Sequence, residues 1–314
     1  MENLTIHEMP ELESPRMILG FSGWMDGGHV STGTINYLAE KLAAPRFAEI
    51  AGAEFYILNF PVSTVPITVL ADGARTVVSS VSPMEFAAIF RPHTEIKDGI
   101  IRQVRFPKNE FRYSHEANLV LFAGEEPHIR WREYCDCIFG LARQLQVPEI
   151  YFVGSVSSPV PHTRDPRIHA SVASEALKQK LQEFDIGFGD YAGPAGLVTF
   201  MAQHSVAEGV EMSNLVLDVP HYPFLDMPTY PKTMLKAIAV LSRLLDLELN
   251  LSDLIAASDR TEDQLNEVMA DNREFGELVR KLEEAYDSEE AAGDEELLRR
   301  LIDGIDLSGG EDKS

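Results

Sequence analysis

Short apolar runs alternate with helical stripes along most of this chain. Arg16 to Gly23 reads as a buried strand, and Val30, Ile35, Leu38 and Leu42 then recur at helical spacing as far as Ala43-Ala44-Pro45. A near-continuous apolar run fits a strand covered on both faces, whereas recurrence every three or four residues fits one stripe of a helix. The same rhythm returns at Asn118 to Phe122, at the stripe Tyr134, Ile138, Leu141 and Leu145, and at Glu149 to Val153. Those two later strands are expected to be parallel neighbours or nearly so. Leu197, Phe200, Met201 and His204 predict a helix before a strand at Leu215 to Val219, and Met234, Ile238, Leu241 and Leu245 predict the helix after it.

Elsewhere the pattern is weaker. Arg46 to about Arg105 mixes short extended runs with Pro61, Pro66, Pro83 and Pro92, which predicts strands and a long connection. A hairpin is expected from Lys97 to Phe106, Lys108-Asn109 and Glu110 to Ser114. Ala173, Leu177, Lys180 and Phe184 keep a helical period that Gly187 and Gly189 interrupt. Beyond Asn250 acidic helix formers take over, and Thr261-Glu262-Asp263-Gln264 matches a capping box that would start a helix bearing Leu265, Val268, Met269, Phe275, Leu278 and Leu282. A shorter helix is expected around Leu297, Leu298, Leu301 and Ile302, then a disordered polar tail. The resulting expectation is a three-layer α/β/α domain over residues 1–249 with a mostly parallel sheet. An acidic helical appendage over 250–305 and a tail over 306–314 follow it.

Charge narrows the partners. A formal net charge of -23 repels phosphate backbones and anionic lipid surfaces, so neither nucleic acid nor membrane is expected as a partner. The acidic opening segment lacks an apolar signal-peptide core, and a cytoplasmic location is expected. Cys135 and Cys137, the two cysteines, sit two apart in a helical stretch, where they point to different sides and read as reduced thiols.

Candidate chemistry collects in the turns that follow the strands. In an open α/β sheet those turns gather on one edge, where such sheets bind ligands. The turn Gly23-Trp24-Met25-Asp26-Gly27-Gly28 offers backbone N–H groups at a helix start; Asp26 either caps that helix or contacts a ligand, and Trp24 either packs or covers one. Glu125 and Glu126, just before Pro127, either are ordinary exposed acids of an acidic chain or would supply an acid or base if one carboxyl lay buried beside Arg164. Pro161-His162-Thr163-Arg164-Asp165-Pro166 places an imidazole, a hydroxyl and a guanidinium together, suited either to gripping an anion or to holding the loop by pairing with Asp165 or Glu125. Gly193-Pro194-Ala195-Gly196 is either a second anion cradle or a tight loop, and His221 either a base or a structural histidine. No G-x-S-x-G elbow, nucleotide loop, H-E-x-x-H or metal-spaced cluster occurs, so no cofactor or metal is expected and no catalytic residue is assigned.

Taken in order, Gly20-Phe21-Ser22-Gly23-Trp24-Met25-Asp26-Gly27-Gly28, Gly124-Glu125-Glu126-Pro127 with Trp131, Pro161-His162-Thr163-Arg164, Gly193-Pro194-Ala195-Gly196 and Val219-Pro220-His221-Tyr222 resemble the proteasome assembly chaperone 2 family. The resemblance covers about residues 15–250. It implies a phosphorylase- or hydrolase-like α/β/α domain with a helical C-terminal extension, and a non-catalytic protein that self-associates as a trimer or other homo-oligomer and binds proteins. Family members that dock on proteasome rings end in a hydrophobic-Tyr-any tripeptide; Glu311-Asp312-Lys313-Ser314 contains no tyrosine, so docking of that kind is not expected. The alternative reading is a small-molecule enzyme or binding protein for a nucleoside or anion, with its cleft among these same loops.

Overall fold

The computed structural model describes residues 3–58, 92–222 and 229–288. In chain order the strands are β1 (Leu4–Ile6), β2 (Arg16–Ser22), β3 (Arg46–Ile50), β4 (His93–Lys97), β5 (Ile100–Arg105), β6 (Glu110–Ser114), β7 (Leu119–Glu125), β8 (Glu149–Ser158), β9 (Ile168–Val172) and β10 (Glu211–Pro220). The helices are α1 (Val30–Lys41), α2 (Trp131–Gln144), α3 (Glu175–Leu181), α4 (Leu197–Glu208), α5 (Pro231–Leu245), α6 (Ser252–Asp271) and α7 (Arg273–Asp287).

Eight of these strands form one sheet in the order β1-β3-β6-β7-β2-β8-β10-β9. The centre, β7-β2-β8-β10, is parallel, with Ser22 opposite Glu125 and Pro220 opposite Ser158. Antiparallel strands flank it on both sides. The pleat explains the layers, because successive side chains leave a strand on opposite faces. Met17, Leu19, Phe21, Val120, Phe122, Ile150 and Phe152 join Tyr134, Ile138, Leu141, Leu197 and Met201 from α2 and α4 in one core. Ile18, Leu119, Leu121, Tyr151 and Val153 join Ile35 and Leu38 of α1, Ile238 and Leu241 of α5, and Leu254, Leu265, Phe275, Val279 and Leu282 of α6 and α7 in the other. Each fully buried side chain of this size contributes roughly 1.5–3 kcal/mol. At Gly20 the α1 backbone comes so close that a Cβ would stand 2.7 Å from the Ser31 carbonyl oxygen.

Several expectations are corrected. The hairpin is formed by β4 and β5 about the turn at Asp98-Gly99, while Glu110 to Ser114 pairs with β7 in the main sheet. Thr261 starts no helix; it lies inside α6, and its hydroxyl donates to the Ala257 carbonyl at 3.0 Å. The break comes at Asn272, whose side chain accepts from the Phe275 N–H at 3.1 Å and caps α7. Cys135 and Cys137 are both buried in the α2–α4 core, and burial pushes their thiols up to about 12 and about 11. The helix expected at Leu297 to Ile302, the tail 306–314 and Pro61, Pro66 and Pro83 lie outside the described residues.

Candidate functional site

The loops at Gly23, Glu125, Pro161 and His221 follow the carboxyl ends of the central parallel strands β2, β7, β8 and β10 and so share one edge of the sheet, which Gly193–Gly196 reaches at the start of α4. They fall into two groups there. In the first, the Glu126 carboxylate spans two turns: Oε2 accepts the Trp24 N–H at 3.1 Å and Oε1 accepts the Leu197 N–H at 3.0 Å, at the first turn of α4. Gly196 is the N-cap of α4, adjacent to Glu126 and the Trp24 ring. A carboxylate at this end also answers the helix dipole. Trp24 itself is 70% exposed. Gly193 lies in the exposed loop before α4, where the Tyr191 hydroxyl donates to the Pro194 carbonyl at 3.0 Å.

Beside this group, Asp26 pairs as a bridge with Ser155 and turns its buried carboxylate onto α1. Thr32 donates to it from both N–H (3.1 Å) and hydroxyl (2.7 Å). Burial pushes the Asp26 carboxyl above its ordinary value, and the Thr32 bonds and His29 act in the other direction. Gly28 has φ +56, and a Cβ there would meet Tyr230 Cβ at 3.1 Å and Val219 Cγ1 at 3.2 Å, so the turn requires glycine. Glu125 is anchored through its backbone: its N–H donates to Asn109 Oδ1 and its carbonyl accepts the Tyr56 hydroxyl at 2.7 Å. Burial raises its carboxyl as well. The sequence reading missed Asn109, Tyr56 and Tyr134, which form one buried hydrogen-bonded knot under this strand end.

The second group binds the C-terminal helices. His162 is buried; Nδ1 lies 2.8 Å from the Tyr222 hydroxyl, Nε2 lies 3.3 Å from Asn266 Oδ1, and the ring stacks on Phe275. Burial lowers its proton affinity. Thr163 donates to Glu283 at 2.5 Å, and Arg164 forks onto Asp287 at 2.8 and 2.7 Å and reaches Glu283 at 3.1 Å. Arg164 does not pair with Glu125 or Asp165; its carboxylate partners come from α7. His221 is exposed and stands outside both groups.

Two further constellations are assembled by the fold. Asp218 accepts from the Ser158 hydroxyl at 2.6 Å on one oxygen and faces His169 Nε2 at 3.2 Å on the other. The order serine, aspartate, histidine leaves the imidazole on the far side of the carboxylate from the hydroxyl, so His169 is not placed to take the serine proton as a triad base does. Asp136 on α2 and His204 and Glu208 on α4 bring three ligand atoms within 4.8 Å of one another. The His204–Glu208 spacing of four was readable as one helix face; the contribution of Asp136 needs the fold.

A model of the PAC2 family matches residues 20–269, well over half of the chain. The chain belongs to the PAC2 family. Among solved structures, this PAC2 chain is similar to the Mycobacterium tuberculosis proteasome-assembly chaperone homologue Rv2125, with TM-score 0.66 and 23% identity over 84% of this chain and 99% of that one. It is similar to M. tuberculosis Rv2714, a protein of unknown function, at TM-score 0.74 and 19% identity over 92% of each chain. The Pyrococcus furiosus archaeal proteasome activator PbaB aligns at TM-score 0.56 and 19% identity over 85% of this chain and 99% of its own. At such identities the likeness establishes the three-layer fold alone. A search of curated protein sequences finds no match.

Proposed function

We propose that this PAC2 protein is a non-catalytic assembly factor that binds other proteins and copies of itself in the cytoplasm. The observation that carries this reading is the hairpin β4–β5, which is exposed throughout. Directly opposed residues share a face, so Thr94 with Val104 and Ile96 with Ile101 make one side, and His93 with Arg105 and Glu95 with Gln103 the other. A register shift past Arg102 produces that apolar side; without it Ile96 would oppose Arg102. Ile96, Ile101 and Val104 are 59%, 66% and 49% exposed, although a lone two-stranded hairpin is only marginally stable in water.

The occupant we assign to this face is a second copy of the chain, at α6. The segment His93–Lys108 carries four cations (Lys97, Arg102, Arg105, Lys108) against two acids (Glu95, Asp98) in a strongly acidic protein. On α6, exposed Asp259, Asp263, Glu267 and Asp271 recur every four residues, one acidic stripe flanked by exposed Ile255 and Val268. A hairpin-to-helix contact is heterologous and closes a ring when the rotation permits, as a trimer or other cyclic oligomer requires. The roles of Rv2125 as a proteasome-assembly chaperone homologue and of PbaB as an archaeal proteasome activator support extending the binding surface to subunits of a larger assembly. The engagement of Asp26, Glu126, His162 and Arg164 in bonds inside the chain supports a scaffolding rather than a chemical role for them.

Light scattering on the eluting full chain tests the reading. An oligomer is expected for the natural sequence, a monomer of unchanged melting temperature for Ile101→Asp, and weakened association for Asp263→Arg. A natural chain that runs as a monomer at every concentration overturns self-association. A nucleoside or phosphate that raises the melting temperature, with the shift lost in Arg164→Ala, overturns the non-catalytic reading in favour of a ligand cleft.

A further inference from the structure

We infer that Asp136, His204 and Glu208 form a divalent-metal site that staples α2 to α4, its ligand class a borderline cation such as zinc. The site lies on the opposite helical layer from α6 and is independent of the proposed self-association. His204 Nε2 is buried and, among the described residues, has no hydrogen-bond partner, a state that buried polar atoms rarely tolerate. It faces two carboxylate oxygens, Glu208 Oε1 at 3.5 Å and Asp136 Oδ1 at 3.7 Å. Those separations are too long for good hydrogen bonds. They match the edge of a tetrahedron whose centre binds nitrogen and oxygen at about 2.0–2.2 Å, the distances zinc takes with histidine and carboxylate.

The surroundings fix the donors in that arrangement. His204 stacks on Phe200 with an interplanar angle of 8° and lies against Phe139, so its ring cannot swing away without losing both contacts. Glu208 stands one turn further along the same helix, and Arg143 contacts its Oε2, which leaves Oε1 turned toward His204. Asp136 approaches from α2 with its side chain half exposed, which leaves the fourth position open to water. An imidazole with two carboxylates suits zinc, manganese or cobalt better than calcium or magnesium, which favour all-oxygen shells.

The probe is cobalt(II), titrated into the full chain at neutral pH, with zinc as competitor. One equivalent is expected to bind and to show the intense visible absorption of four- or five-coordinate cobalt, bleached by one equivalent of zinc. Asp136→Asn, at a half-exposed position that leaves the core untouched, is expected to weaken binding at least tenfold, and His204→Gln to abolish the band. Circular dichroism on both variants separates loss of ligand from loss of fold. His169→Gln, at a histidine elsewhere on the molecule, is expected to keep the band. Absence of a visible band, or cobalt binding of equal strength in the Asp136 and His204 variants, means an adventitious ion only and overturns the site.

Discussion

At the scale of single residues, the chemistry that the turns advertise is largely directed inward, and His162 shows the consequence. Its imidazole is surrounded by the Tyr222 hydroxyl, Asn266 and Phe275, with Glu262 and Glu283 favouring its charged form and Lys232 opposing it. Burial is the largest influence and lowers its proton affinity below the ordinary 6.5. Above that value both folded and unfolded chains hold a neutral ring. As pH falls below it the unfolded chain takes up a proton that the folded one resists, so stability contributed here is lost with acidification. His169 has the opposite sign: its hydrogen bond to Asp218 raises its proton affinity, so its contribution is present at low pH and fades as pH rises through the folded value. The two partly cancel in any global measurement, and a local one is needed. Amide exchange in α7, corrected for intrinsic rates, is expected to speed up between about pH 7 and about pH 5.5. His162→Gln is expected to remove that pH dependence, and equal slopes in the two proteins would count against His162 as its source.

At the scale of elements, the question is what holds α7 against the body, charge or burial. Arg164 grips Asp287 and Glu283 with good geometry, but the pair lies at the surface, where ion pairs contribute little. Phe275, Leu278, Val279 and Leu282 are buried in the same core as Ile18 and Leu241, and deleting a ring at such a site costs roughly 3–5 kcal/mol. Burial therefore decides the docking, and the polar clasp sets the register. Phe275→Ala is expected to lower the denaturation midpoint strongly and open α7 to protease, while Arg164→Ala barely moves the midpoint; comparable losses for the two would reverse this assignment. The apolar stripe of α7 was legible in the sequence because Leu278 and Leu282 recur at helical spacing. The clasp was not, since Arg164 and Asp287 are 123 residues apart and an arginine in a prolyl loop looks the same whether its partner is a ligand or a helix. Likewise β2, β7 and β8 were readable because their apolar runs are nearly continuous, a mark of parallel strands covered on both faces. The hairpin was misplaced because β4 and β5 face solvent on both sides, where burial imposes no simple alternation and the register shift scrambles what remains. Thr261 met the letter of a capping box while sitting mid-helix, where the uninterrupted α6 leaves no free N–H groups to cap.

At the scale of the whole molecule, the net charge of -23 sets how copies meet. Two such bodies repel over any distance shorter than the screening length, which is about 30 Å at 0.01 M salt and about 8 Å at 0.15 M. The contact we assign between the cationic hairpin and the acidic stripe of α6 acts over a few ångströms and survives the first screening step but not the second, near 1 M, where the length is about 3 Å. Burial of Ile96, Ile101 and Val104 does not weaken with salt in this way. Association is therefore expected to be weakest at about 0.01 M sodium chloride, to strengthen toward about 0.15 M as the long-range repulsion is screened, and then to level as local attraction is lost and apolar burial remains. Sedimentation equilibrium across that series measures it. A steady weakening from the lowest salt upward would mean that local ion pairs, rather than the apolar face of the hairpin, carry the contact, and Ile101→Asp would then leave the oligomer intact.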